Sequence, residues 1–247
     1  MRIRLFLTGI ALGICGVVSA AAADLYLAGD STLAPRKPTD NKASWGEWLQ
    51  PHLAEGTKLC DCAVGGTSTK SFRAKFWDKK VVPNLKSGDW VIIQFGINDP
   101  HHTGKQYLEK GDIDRFCPVD EYCVNLKKFI EDVRAKNAKP LLCTPISSRG
   151  IFTKDGKVME KKRDKRWEYA EAMRKVAQET QTPLVDMLVL TEEIVKTAGV
   201  EASKEFFNCK FDKKDNTHPT KEGAAKFGEA FLKEIKKQKL PITEIFK

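Results

Sequence analysis

Histidine is scarce in this chain: four occur in 247 residues, His52, His101, His102 and His218. Chemistry that needs an imidazole base must run through one of them. No C-x-x-C pair occurs, nor any Cys/His spacing that reads as a zinc site, so no metal and no cofactor is expected. After residue 23 no apolar run approaches the ~20 residues that a membrane-spanning helix needs. No membrane partner is therefore expected of the mature chain. Internal repeats and low-complexity linkers are missing as well, and nothing marks a second domain. One domain with a full hydrophobic core, residues 24–247, is the expected organisation.

The strongly apolar segment lies at the N-terminus. Arg2 and Arg4 precede "LFLTGIALGICGVV", and "VSAAAA" offers small residues for cleavage. Residues 1–23 read as a secretory signal peptide, which predicts a secreted or periplasmic protein. The seven cysteines then become six: Cys60, Cys62, Cys117, Cys123, Cys143 and Cys209. Disulfides persist in exported chains. Cys117 and Cys123 bracket the short polar stretch "CPVDEYC" and form the expected pair. Cys60 and Cys62 lie two apart on a strand, where their side chains diverge from bridge geometry. Cys143 sits in an apolar strand pattern and reads as a buried thiol. The formal charge is +9. A basic exported chain is drawn towards anionic partners, and an acidic polysaccharide suits it better than nucleic acid. A monomer is expected.

Apolar runs alternate with helix-period stretches. Strands are predicted at 24–29, 57–64, 89–96, 139–144 and 183–186. The run "DWVIIQFG" is continuously apolar, as in a strand buried on both faces. A short helix is predicted at 44–53 with Ser44 as its cap. Longer helices are predicted at 119–137, 164–180, 188–198 and 220–236, the last beginning near a capping pattern at Thr220 and Glu222. This alternation predicts an α/β/α sandwich on a mainly parallel sheet. Ligands then bind outside the carboxyl ends of the strands, so the loops that matter are 29–44, 64–70, 96–118, 145–163 and 208–219.

Four of those loops carry unusual residues. The first has Gly29-Asp30-Ser31 and the second "GGTS", Gly65 to Ser68. The third has "GIND", Gly96 to Asp99, and the last "DNTHPT", Asp215 to Thr220. A hydrolytic serine needs a base within hydrogen-bond reach and an orienting partner for that base. His218 has Asp215 three residues before it, a spacing that can set a carboxylate against one ring nitrogen. Attack on an ester also creates an oxyanion, which needs fixed donors. The Ser31 N–H, the Gly66 N–H and the Asn98 side-chain amide are the candidates. Each residue alone is more simply a turn or cap residue; their joint occurrence at successive strand ends points to chemistry.

The ordered set Gly29-Asp30-Ser31, Gly66, Gly96-Ile97-Asn98-Asp99 and Asp215-Asn216-Thr217-His218 resembles the SGNH (GDS-type) hydrolase superfamily, across about 190 residues. A narrower likeness is to rhamnogalacturonan and pectin acetylesterases, carried by "YLAGDSTLA", "WGEWL", "DCAVGGTS", "DWVIIQFGIND" and "DNTHPT". Two departures stand out. Ile97 replaces a frequent His, which alters pocket polarity, and Asn216 replaces another. The resemblance implies a flavodoxin-like fold and metal-free ester hydrolysis through an acyl-enzyme. It implies Ser31 as nucleophile, His218 as base and then acid, Asp215 as its orienter, and Ser31, Gly66 and Asn98 as oxyanion donors. The α/β-hydrolase elbow G-x-S-x-G is absent from the chain.

The expected substrate is an acetylated plant cell-wall polysaccharide, with acetylated pectin first. Arg73 and Arg149 are the expected partners of galacturonate carboxylates, because arginine pairs with a carboxylate bidentately. Trp45, Trp48, Phe72 and Trp77 could stack on sugar rings but fit a core better. The rivals are the same chemistry on acetylxylan, sialate O-acetyl, lipid or thioester substrates, a non-catalytic polysaccharide-binding module, and a glycosidase or lyase. A glycosidase needs two carboxylates across the bond and gives no role to the Ser, Gly, Asn and His blocks. Activity of the esterase requires neutral His218 and falls at acidic pH.

Overall fold

The computed structural model describes residues 22–100, 115–153, 155–159 and 165–247. The expected signal peptide falls almost wholly outside the described residues, as do His101 and His102. Five strands form one sheet: β1 (Leu25–Gly29), β2 (Leu59–Asp61), β3 (Trp90–Gln94), β4 (Lys139–Cys143) and β5 (Leu184–Val185). Their order is β2-β1-β3-β4-β5, and every pairing is parallel. This is the flavodoxin-like order, with its topological switch between β1 and β3.

Alternation along the strands builds two cores. Leu25 and Leu27 of β1 face Trp45, Phe227 and Phe231 on one side. Tyr26 and Ala28 face Phe72, Phe129 and Val133 on the other. Helices α1 (Thr69–Phe72), α2 (Val119–Ala135) and α3 (Lys165–Glu179) cover the second face. Helices α4 (Met187–Ala202) and α5 (Lys221–Lys237) cover the first. Trp45, Phe72 and Trp77 are fully buried core residues.

The boundaries differ from the periodicity where local chemistry intervenes. Residues 47–52 form a 3-10 helix holding Pro51, which has no N–H to donate. Ser44 still ties its start, with Oγ accepting from Glu47 N at 3.1 Å. A helical stretch at 69–81 has no counterpart in the predicted elements. Its first turn is α-helical and capped by Ser68, and Arg73–Val81 is a π-helix. Its buried residues Phe72, Trp77 and Val81 are spaced five and four apart. A wide i→i+5 turn aligns that spacing, and a 3.6-residue period does not.

The expected Cys117–Cys123 bridge does not form: all six described cysteines are free thiols. Cys117 is fully buried; its Sγ lies 3.4 Å from Thr69 Oγ1 and accepts from Asn125 Nδ2 at 3.5 Å. Cys123 sits in α2 and is only partly buried, so the two sulfurs have separate environments.

Two stability predictions follow from close approach and burial. A Cβ at Gly223, in the first turn of α5, would lie 2.0 Å from the Phe206 carbonyl oxygen. Gly→Ala in an exposed helix stabilises by up to about 1 kcal/mol. Gly223→Ala is instead expected to destabilise by about 1–3 kcal/mol, and by more than Gly228→Ala. A Cβ at Gly228 meets the Trp48 ring, a side chain and not the backbone. The urea midpoints at constant m check this ranking.

The second prediction concerns Asp61, whose Oδ1 accepts from Ala63 N and whose buried Oδ2 has no hydrogen-bond partner. Burial pushes its carboxyl up to about 7. The folded protein thus binds this proton more tightly than the unfolded chain, and the cost of ionising it grows as pH rises from 4 towards 7. Asp61→Asn should therefore gain stability relative to wild type on going from pH 4 to pH 8. Denaturant unfolding at the two pH values measures it.

Candidate active site

Ser31 sits where β1 ends. The chain turns immediately: Leu33 N and Ala34 N both donate to the Asp30 carbonyl, at 3.2 and 2.9 Å. The Ser31 N–H has no acceptor among the described residues. Asp30 beneath it is fully buried. Its Oδ1 accepts from Thr32 N and Thr32 Oγ1, both at 2.9 Å, and its Oδ2 has no partner. Burial raises its pKa against those two bonds. Thr32 Oγ1 in turn accepts from Gln94 Nε2 at 2.5 Å, and Gln94 Oε1 accepts from Trp45 Nε1 at 2.9 Å. A buried polar chain thus fixes the turn that carries the serine.

His218 arrives from the far end of the sequence, just before α5. Its Nε2 lies 2.9 Å from Ser31 Oγ. Its Nδ1 lies 2.9 Å from each Asp215 carboxylate oxygen. Asp215 also accepts from His218 N at 3.1 Å and Asn208 Nδ2 at 2.9 Å, and Lys42 Nζ stands 3.8 Å away. Burial pushes the Asp215 carboxyl up, but the bonds from His218 and Asn208 outweigh it and hold it well below the usual carboxylate range. An ionised Asp215 only accepts, so Nδ1 carries the proton and Nε2 is left as acceptor for the Ser31 hydroxyl.

The other two strand ends supply donors. Gly66 has φ +80, a left-handed conformation that suits glycine. Its N–H has no acceptor among the described residues. Asn98 gives one amide hydrogen to the Thr67 carbonyl at 3.0 Å, which leaves the second available. Asp99 binds these two loops together. Its Oδ1 accepts from Thr69 N at 2.8 Å and Thr69 Oγ1 at 2.6 Å, and its Oδ2 accepts from Gly96 N at 3.0 Å. Full burial outweighs these bonds and pushes its carboxyl up to about 7.

Ser31, Gly66, Ile97, Asn98, Asp215 and His218 line one cavity of about 750 Å³. A serine with a base in reach, a fixed carboxylate behind the base and a cluster of unspent N–H groups can open a carbonyl ester.

Arg73 and Arg149, the arginines expected to bind substrate, do not line this cavity. Arg73 Nη1 pairs with Asp132 Oδ2 of α2 at 2.8 Å, and the guanidinium stacks 5.5 Å from the Phe129 ring. Arg149 is a brace. Its Nη2 donates to the Val200 carbonyl at 2.6 Å and its backbone N to the Asn216 carbonyl at 2.9 Å. It therefore ties the loop holding Asp215 and His218 to α4. The cavity instead carries Arg36, Arg115, Lys165, Arg166 and Lys214. Arg36 lies five residues beyond Ser31, so its place beside the motif was visible in the sequence. Arg115 and Arg166 come from segments with no such marker.

The GDSL-like Lipase/Acylhydrolase family matches residues 27–226. The probable rhamnogalacturonan acetylesterase YesY of Bacillus subtilis (strain 168) is 30% identical over 225 residues, spanning 89% of this chain and 95% of that protein. The rhamnogalacturonan acetylesterase RhgT of the same organism is 28% identical over 230 residues, covering 89% and 92%. Among solved structures, the YxiM protein of Bacillus subtilis superposes with a TM-score of 0.73 at 26% identity, covering 89% of this chain and 57% of that one. An acetylxylan esterase of Geobacillus stearothermophilus shares the fold with a TM-score of 0.64 at 21% identity, covering 87% and 94%. With its GDS turn, its loop donors and its histidine converging on one cavity, the chain belongs to the GDSL-like lipase/acylhydrolase family and is a carboxylic ester hydrolase.

Proposed function

We propose that the protein is an exported serine acetylesterase that removes O-acetyl groups from plant cell-wall polysaccharide, acetylated rhamnogalacturonan or pectin first. The observation that carries this reading is the 2.9 Å approach of His218 Nε2 to Ser31 Oγ, with Asp215 behind the ring and two unspent backbone N–H groups beside it. The names of the YesY and RhgT relatives support the acetyl ester and the polymer, and the basic charge of +9 suits an acidic chain. The apolar N-terminal segment supports export to the periplasm or medium.

The steps follow from the geometry. His218 Nε2 takes the Ser31 proton as Oγ attacks the acetyl carbonyl. The carbonyl oxygen becomes negative and is met by the Ser31 and Gly66 N–H groups and the Asn98 amide. Asp215, kept ionised, stabilises the imidazolium and holds its tautomer. The C–O bond to the sugar then breaks, and the sugar oxygen leaves with the proton from His218. Water, deprotonated by the same imidazole, attacks the acetyl-Ser31 ester. Acetate departs and the proton returns to Ser31.

Acetate release from acetylated pectin, acetylxylan and p-nitrophenyl acetate tests the reading. Ser31→Ala and His218→Ala should each lose at least about 10³-fold in kcat. Asn98→Ala should lose about 10²–10³-fold in kcat as one oxyanion donor goes. Activity that survives Ser31→Ala overturns the mechanism, and polymer binding with no acetate released favours a binding module. In a pH series, Asp215 is held well below the usual carboxylate range and stays ionised across the acid side, so its protonation should not appear as a limb of the kcat/KM profile above about pH 4.

A further inference from the structure

A second cavity opens beside the one that holds Ser31. Its volume is about 310 Å³, and Thr39, Asp40, Asn41, Phe211, Lys221 and Glu222 are among its lining residues. Two segments that wall it also reach the catalytic cavity. The stretch that brings Thr39, Asp40 and Asn41 here brings Arg36 there, and the loop that brings Phe211 here brings Asp212, Lys214 and Asp215 there. The two walls are fastened together. Ala43 N donates to the Pro219 carbonyl at 2.8 Å, and Lys221 Nζ to the Pro38 carbonyl at 3.4 Å.

Phe211 is the unusual residue. Among the described residues it is the only exposed aromatic side chain, 55% open to solvent. The fold gains little from a ring left in water. Its backbone is nevertheless held in place. Phe211 N and Asp212 N both donate to the Asn208 carbonyl at 2.8 Å, and Asn208 Nδ2 donates to Asp215 Oδ2 at 2.9 Å. One asparagine thus fixes both this ring's turn and the carboxylate behind His218.

The groups around the ring suit hydroxyls. Asn41 carries an amide, and Asp40 and Glu222 have no ion-pair partner among the described residues. An ionised carboxylate only accepts hydrogen bonds, and a sugar hydroxyl is a donor that fits it. The ammonium groups are turned to other partners. Lys210 Nζ, 5.8 Å from the Phe211 ring centroid, is bonded to Glu205, and Lys221 Nζ to the Pro38 carbonyl. Asp40, Glu205 and Glu222 against Lys210 and Lys221 leave the cavity net negative. A sugar carboxylate placed here would meet like charge.

We infer that this side cavity is a subsite for a neutral pyranose ring flanking the acetylated sugar, with the apolar face of the ring stacked on Phe211 and its hydroxyls bonded to Asp40, Asn41 and Glu222. The inference rests on the reading of the site as a polysaccharide acetylesterase. An aromatic plate with a few convergent polar groups is what a ligand site of this size requires. Because the two cavities share walls, a ring seated in one helps to fix which acetyl group along the polymer meets Ser31 in the other.

The test measures kcat and KM for acetate release from three substrates. They are an acetylated galacturonic acid monosaccharide, acetylated rhamnogalacturonan oligosaccharides with neutral flanking rings, and acetylated homogalacturonan oligosaccharides of equal length with acidic flanking rings. Wild type should favour the neutral-flanked oligosaccharide over the monosaccharide by about tenfold in kcat/KM, chiefly through KM. Phe211→Ala should cut that gain by about fivefold, with a smaller loss on the acid-flanked form. Phe211→Trp should keep the gain, and Phe211→Leu, apolar but not flat, should lose it. The ratios are the readout, so a loss of rate common to all three substrates cancels.

No gain from a flanking ring in wild type overturns the subsite. So does a parallel loss on all three substrates in Phe211→Ala, which marks a residue that only supports the loop of Asp215. Wild-type ratios in Phe211→Leu overturn the stacking, and a larger loss on the acid-flanked form overturns the neutral ring. Failure of the underlying reading looks different: p-nitrophenyl acetate is cleaved, and none of the three sugars releases acetate.

Discussion

The parallel pairing of β1 with both β2 and β3 is the constraint on which the site depends. Leu27 pairs with Asp61 and Gly29 with Gln94, so these strands finish at one edge of the sheet. Slipping β1 by one residue would turn Leu25 and Leu27 from one core to the other. The two buried faces therefore fix the register, and the register delivers the first three loops to the same edge. Ser31 and His218 are 187 positions apart in sequence and within hydrogen-bond distance in space. No local interaction could bring them together.

Once delivered, the loops are held by polar tethers. Asp99 joins the Gly96 turn to the start of α1. Arg149 ties the His218 loop to α4, and Arg166 ties the same loop to the first turn of α3. Asn208 anchors that loop twice, through its side chain to Asp215 and its backbone N–H to the His218 carbonyl at 2.8 Å. These bonds leave a few donors deliberately unspent, namely the Ser31 and Gly66 N–H groups and one hydrogen of Asn98. Preorganised donors of this kind need no rearrangement when charge develops.

Electrostatically the site divides in two. Beneath the serine lie buried carboxylates, Asp30 and Asp99, both pushed upwards by burial. Cationic residues line the cavity. Asp215 stands between and is held low by the imidazole and amide that bond it. The base is therefore oriented by a reliable anion.

The sequence by itself determined the elements whose cause is local. The continuous run at 89–96 reads as a two-sided buried strand and proves to be β3. The 3.6-residue spacing at 119–137 and the capping residues at Thr220 place α2 and α5 within two residues of where they lie. The GDS, Gly66, GIND and DNTH blocks were legible because each combines residue types that a turn, a donor or a base requires. The π-helix at 73–81 was not, because its burial follows a wider turn than the α period. Nor was the fate of the charges. Arg73, Arg149, Arg36, Arg115 and Arg166 look alike in sequence, since a guanidinium is always cationic and reaches far. Only the tertiary structure decided which of them lines the cavity and which braces the fold away from it, because that choice depends on neighbours brought in from distant segments.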